Sequence, residues 1–425
     1  MNPVQWLDFS SVERDNVLDL LAAQKDKSTQ DELGVGLVRD AIADHMFPPL
    51  STIQTRAKYF LYVPWILRAL ERGNVGAERL VPMLRQREIK LIGALLDSEA
   101  EDKQGLIGRE SREATKRLPS SIYWSGVRRL GIFQGAGSLA EYLNDLPEAR
   151  LERRSRQVEP EGVEMGNAWG PELSWDIGLP VDEPDFLTQT SFALRPEHAR
   201  YLKERILSMS TATGRSCLLQ WMICHLAPQT LVDLTEPWQL LHSDVGRSKL
   251  PEHLQTELVH ARNFSLCMRV LTAVYFRLLA VERRDLDAAS FDAMLAASMQ
   301  SLAALSAELT AWHANLPAFW QWVRLSNPRL QRDQPFIDEW LQILAGTGFS
   351  PVAQEVLTSP DIHRRFRKRE HQLKGELARL GNAPVLQRWN APDVLIPMDF
   401  RWRTARQVVC DILQGFQDPK VPPHA

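Results

Sequence analysis

The chain has 425 residues, enough for two or three domains, and its 44% hydrophobic content suffices for ordinary globular cores. Its 50 Lys and Arg against 53 Asp and Glu leave a formal charge of -3, which excludes a whole-molecule field for polyanions. Any nucleic-acid surface therefore has to be local. The 13 tryptophans follow no fixed period, so they indicate no propeller or solenoid repeat, and the 4 cysteines form no C-x-x-C pair, which argues against a zinc centre. No secretory leader is visible at MNPVQWLDFSS. The apolar runs 60–70 and 270–281 are broken by Arg68 and Arg277 and fall short of the roughly 20 residues of a spanning helix. The expectation is a cytoplasmic protein with no membrane contact and no cofactor.

Residues 10–23 open with a serine cap and carry apolar residues at helical spacing, and a second helix is expected over 31–46. The stretch FPPLSTIQTRAKYFLYVPWILRALE, 47–71, has the form of a capping box. Ser51 is set to accept from the third helical amide, and Gln54 to reach back. From there Ile53, Ala57, Phe60 and Leu61 would share an apolar face, with a stop or bend before Pro64. Another helix is expected over 78–97. Residues 105–133 read as a polar, basic helix stopped by Pro119 and a second helix carrying Tyr123, Trp124, Arg128 and Arg129, closed by Gly131. That is the pattern of a helix-turn-helix or its winged form, though any two packed helices joined at a proline give the same pattern.

After the basic knot at 150–157 the composition changes. Residues 159–186 are rich in Pro, Gly and acid, so a linker is expected over 158–190, pinned by Trp169 and Trp175, between a helical domain at 1–157 and a helical bundle at 191–425. In the second half, helices are expected from Pro196 onward and over 214–227, 251–282, 289–315, 317–325, 333–346, 351–357, 360–380 and 400–416. The run 262–282 is apolar on most faces, as in the central helix of a bundle. Strand-like alternation is scarce, so the fold class is mostly α.

No phosphate loop, nucleophile elbow or zinc-protease motif is present. Two constellations remain. Asp40 and Asp44, four apart, share a helix face with His45 alongside and suit a magnesium or manganese ion of a nuclease, though such a carboxylate pair is more often a solvated face or an ion-pair partner for Arg39 and Arg56. Near the C-terminus, Arg364, Arg365, Arg367, Lys368 and Arg369 fall in adjacent i,i+4 rows, and Arg401 and Arg403 interleave with Phe400 and Trp402. Such rows suit phosphates and stacked bases, and serve equally as a bundle face paired with Asp285, Asp287 and Asp292 or with a protein partner. Arg56, Lys58, Arg128 and Arg129 complete the set of candidate contacts for DNA or a partner.

The motifs WLDFS at 6–10, DELG at 31–34, FPPLSTIQTRAKYF at 47–60 and LPSSIYW at 118–124, with RNFSL at 262–266 and R-x-R-x-x-x-L-K-G at 367–375, resemble an uncharacterised bacterial family of unknown function. The likeness spans nearly the whole chain. It departs at Pro49-Leu50, where the family pattern has a glycine turn. The resemblance brings no established activity and no catalytic residue. It implies a gene neighbourhood of helicases and phospholipase-D-like nucleases associated with defence against phage, and hence a non-enzymatic subunit of a defence or DNA-processing system. A metal-dependent nuclease and a pure scaffold are the alternatives.

Overall fold

A computed structural model describes residues 33–73, 75–98, 103–157, 175–351 and 354–417. The expected helix at 10–23 and the WLDFS motif lie outside these residues. The fold is all-α. Among the described residues there is no strand, and one isolated antiparallel bridge joins Phe133 to Trp175. Two compact units interleave along the sequence. Of the described residues, one unit takes in those up to Ile42 together with those of Val259–Met398, and the other those of Ala43–Leu258 together with those from Asp399. The composition shift at 158–190 pointed to a boundary there, whereas the described part of that segment, from Trp175, packs inside the second unit.

In the second unit, Tyr59–Arg72 is the central helix, apolar on nearly every face, and it packs on Ala77–Leu96 and Pro119–Arg129. The chain does not enter it through the expected capping box. Gln54 Oε1 does accept from Ser51 N at 3.1 Å, but the Ser51 hydroxyl is buried with no hydrogen-bond partner among the described residues, and the helix starts only at Tyr59. Tertiary partners explain the delay. The Tyr123 hydroxyl accepts from Thr55 N at 2.7 Å and Arg56 N at 3.0 Å, and Asp411 accepts from Ala57 N at 2.8 Å. Amides that a helix would use locally are held from outside, so the backbone stays in turns. Pro64 lies inside the helix, which continues through it to Arg72 instead of stopping.

Residues 105–118 hold only a 3-10 turn, Arg112–Ala114, where the first helix of a helix-turn-helix was expected. That pair of helices is therefore not formed. Pro119–Arg129 does form, with Pro119 at its first position. Its start is capped by Glu88 of the Ala77–Leu96 helix, which accepts from Ser120 N at 2.6 Å and from Ser120 Oγ at 3.1 Å. Gly126 lets this helix approach the opening loop, since a Cβ there would stand 2.5 Å from the Pro49 carbonyl oxygen. Leu139–Gln157 is a helix the hydrophobic pattern does not announce. Its signal is the reciprocal cap of Ser138 and Glu141, an S-x-x-E box, with Glu141 N donating to Ser138 Oγ at 3.2 Å. The last helix, Trp402–Gln414, packs on Pro196–Ser208, Leu218–His225 and Pro228–Asp233, and Trp402 Nε1 donates to Leu234 O at 3.1 Å.

The first unit is built on the C-terminal part of Glu252–Arg283, with Ala288–Ala303, Ser306–Ala314, Leu316–Ser326, Gln334–Gly346 and Pro360–Lys374. Phe264 stacks on Phe319, and Trp340 donates its indole N–H to Cys267 O at 3.0 Å and meets the Phe366 ring edge-on. The Glu252–Arg283 helix has 32 residues, longer than the apolar run read from sequence. By length and composition it is apolar enough to cross a membrane, with 67% of its apolar window buried. A core helix of a helical bundle passes the same test.

Candidate functional site

The candidate cations divide into an internal set and an outward set. Arg56 is internal. It is 5% exposed, and its guanidinium meets Asp411 through Nε at 3.0 and 3.1 Å and through Nη2 at 2.9 Å, while Nη1 donates to Gln104 O. Its planar face lies 4.5 Å from the centroid of the Phe192 ring. Burial pushes the Asp411 carboxyl above its ordinary range, against the pull of Arg56 and of the Ala57 N–H. A pocket of about 90 Å³ lies against this pair, bordered by Phe192, Leu194 and Gln414.

Lys58 is 2% exposed and reaches Glu183 at 2.9 Å. Burial lowers its pKa, and Glu183 partly offsets that effect. Around the same carboxylate stand Arg195 and the buried His198, each 3.6 Å away, and Thr190 Oγ1 at 3.4 Å. Burial first, and then the charge of Lys58, push the His198 imidazole down to about 4, which keeps it neutral beside two cations. Both cations of the Thr-Arg-Ala-Lys stretch, expected as contacts for DNA or a partner, are thus inside the fold. Desolvating an unpaired cation is costly, so each is matched by an acid from a distant part of the chain.

The Pro360–Lys374 helix is divided the same way. Arg369 is buried, pairs with Asp333 at 2.7 Å and donates to Leu33 O at 3.0 Å. Lys374 meets the fully buried Glu370 at 3.2 Å, and Glu370 also accepts from the Tyr275 hydroxyl and from Leu380 N. On the outer side, Arg364 pairs with Asp361 at 3.0 Å, Arg365 with Asp361 and Glu339, and Arg367 with Glu282 at 2.6 Å. Lys368 and His371 are exposed. Asp285, Asp287 and Asp292, the acids suggested by sequence as partners, are used elsewhere. Asp285 pairs with Arg283, Asp292 pairs with Arg277, and Asp287 caps the Ala288–Ala303 helix. What remains outward is a row, Arg364, Arg367, Lys368 and His371, spaced i, i+3, i+4 and i+7 on one face.

Arg128 and Arg129 are exposed in the last turn of their helix, where a cation suits the negative end of the dipole. Arg401 is half-buried. It takes the left-handed conformation at φ 70 just after Phe400 at φ 47, pairs with Asp44 at 2.5 Å and donates to Leu50 O at 2.7 Å. Arg403 is exposed. Of the metal candidates, Asp40 is paired with Arg39 at 3.0 Å, Asp44 is held by Arg401, and His45 is buried. Among the described residues no three His, Cys, Asp or Glu side chains gather as a metal site. Sequence reasoning missed Asp411 and Glu183. The first lies 355 residues from its partner, and the second sits in the stretch read as a linker.

No curated protein and no solved structure matches the chain. The motifs noted above fall at 6–60, 118–124, 262–266 and 367–375, and the family model that matches runs over residues 1–415, covering all of them and every helix described here. The chain belongs to that family, the family of unknown function DUF6361.

Proposed function

We propose that the chain is a non-enzymatic subunit of a bacterial anti-phage defence or DNA-processing system, working in the cytoplasm. It engages nucleic acid, or an acidic face of a helicase or nuclease partner, through the outer side of the Pro360–Lys374 helix. The observation that supports this reading is the exposed row of Arg364, Arg367, Lys368 and His371 on one face of a regular helix. Exposed ion pairs such as Arg364 with Asp361 contribute little, so a phosphate oxygen replaces the carboxylate at small cost. The defence context rests on the motif resemblance. The carboxylates bordering the row, Asp361, Glu282 and Glu339, favour a contact of modest strength.

Titration of the purified chain with duplex and single-stranded DNA across a salt series tests the proposal. Binding should weaken with salt, and R364E/K368E should lower the slope of log K against log salt by about 2, near one per lost phosphate contact. Binding without a salt slope, or none at low salt, removes nucleic acid as the ligand and leaves the protein partner.

A further inference from the structure

The chain from Trp175 to Leu194, within the second unit, lies along the Tyr59–Arg72 helix as a non-helical strap. Trp175 Nε1 donates to Glu71 Oε2 at 2.7 Å, Trp65 Nε1 donates to Pro180 O at 2.9 Å, and the Tyr62 hydroxyl donates to Ser191 O at 2.7 Å. Phe186 stacks on Tyr62 and meets Trp65 edge-on. Between the first two anchors the strap makes a tight turn. Leu179 N donates to Asp176 O at 3.0 Å, Gly178 N donates to Asp176 Oδ2 at 3.2 Å, Asp176 N donates to Ile132 O at 2.9 Å, and the Asp176 carboxylate pairs with Arg205 at 2.9 Å. At the tip stands Ile177, 96% exposed, followed by Val181, 79% exposed.

A β-branched apolar residue contributes nothing to such a turn, whose central positions favour Gly, Asn, Asp or Pro. Scattered exposed apolar residues are ordinary. Here the side chain is carried by a backbone fixed on both flanks, so little conformational freedom remains to be lost on binding. Along the strap itself the charge has one sign. The stretch from Asp176 to Asp185 holds four acids and no Lys or Arg. Asp176 and Glu183 are used inside the fold, while Asp182 and Asp185 face solvent.

We propose that the Asp176–Leu179 turn, with Ile177 at its tip and Val181 beyond it, is a preformed anchor for a protein partner that offers an apolar pocket bordered by cationic side chains. A buried aliphatic anchor supplies the binding energy, and the acids at 182 and 185 select the partner by charge. This surface is separate from the basic row of the Pro360–Lys374 helix and does not depend on it.

The test uses the full-length chain produced in its own cell with a photo-crosslinking amino acid at position 177, and a control with the same residue at exposed Val81 of the same unit. The proposal expects a second polypeptide joined at 177 and not at 81, with the yield reduced about tenfold in D182K/D185K, a loss of the order that one anchor-region contact carries. D182N/D185N replaces the reversed variant should that one lose its thermal transition. With the captured partner purified, Ile177→Asp should weaken its affinity by about tenfold or more at an unchanged melting temperature. The proposal is overturned by the same adducts at 177 and 81, by no adduct at 177, or by a yield indifferent to the charge at 182 and 185. Joining of 177 to residues 158–174 of its own chain, or to a second copy, overturns it as well.

Discussion

Arg56 and Asp411 show how one residue can carry two opposite readings. In sequence Arg56 is a cation beside Lys58 and two tyrosines, the composition of a nucleic-acid contact. In the fold it is one half of an internal pair whose other half also accepts the Ala57 amide. A local stretch displays a charge but not its partner, and only burial decides whether that charge faces water or an acid. Arg56→Met should therefore cost about 3–5 kcal/mol, because it leaves Asp411 buried and uncompensated, whereas R56M/D411L should recover a large part of that loss. Guanidinium unfolding of the single and double variants checks this. A single variant as stable as the parent removes the pair from the account. Arg364 and Lys368 are the contrast, since both are exposed in the structure.

At the scale of elements, periodicity located most helices of the second half within a few residues. These helices have one apolar stripe and clear stops, such as Pro196 at the start of Pro196–Ser208 and Gly375 after Pro360–Lys374. Where the sequence misled, tertiary bonds outweighed local preference. Residues 51–58 carry a helix-start pattern, yet the Tyr123 hydroxyl and the Asp411 carboxylate take their amides. That hydroxyl also donates to Arg56 O at 2.9 Å, so all its bonding capacity serves the loop, and burial pushes its pKa up to about 12. Tyr123→Phe keeps the ring and orphans the half-buried Thr55 N–H and the buried Arg56 N–H, at a cost of about 1–3 kcal/mol. Hydrogen exchange at Thr55 and Arg56 should quicken well beyond that of the Tyr59–Arg72 helix. Equal protection in the variant and the parent would show that the loop is held by packing alone. Gly126→Ala tests the same joint from the other side. A methyl 2.5 Å from the Pro49 carbonyl oxygen has no room, and about 1–3 kcal/mol of overpacking should appear in the melt.

For the molecule as a whole, fold class was legible in the sequence and the division into units was not, because the two units exchange segments that no composition change marks. The pH dependence of stability follows from groups in both units. His260 lies among Trp312, Phe319 and Trp322, with Nδ1 accepting from Trp312 Nε1 at 2.9 Å, and burial pushes its pKa down to about 4. His198 is likewise held near 4, by burial and Lys58. For both, the unfolded chain binds the proton first, so their contribution to stability is present above pH 6.5 and lost as the pH falls toward 4. Glu88 opposes them. Burial raises its pKa to about 7, against the pull of the Ser120 donors, so the folded state binds its proton first and stability falls as the pH rises from 4.5 to 7. Two imidazoles outweigh one carboxyl, and lowering the pH from 7 to 5 should cost the parent about 1–2 kcal/mol through these groups. Glu88→Gln keeps an acceptor for Ser120 N and supplies a donor for Ser120 Oγ, but does not titrate. The same acidification should then cost the variant about 3–4 kcal/mol. Denaturant midpoints of the two proteins at pH 7, 6 and 5 decide it. Parallel curves would mean that Glu88 is ionised in the fold throughout that range, its charge held by the start of the Pro119–Arg129 helix in spite of its burial.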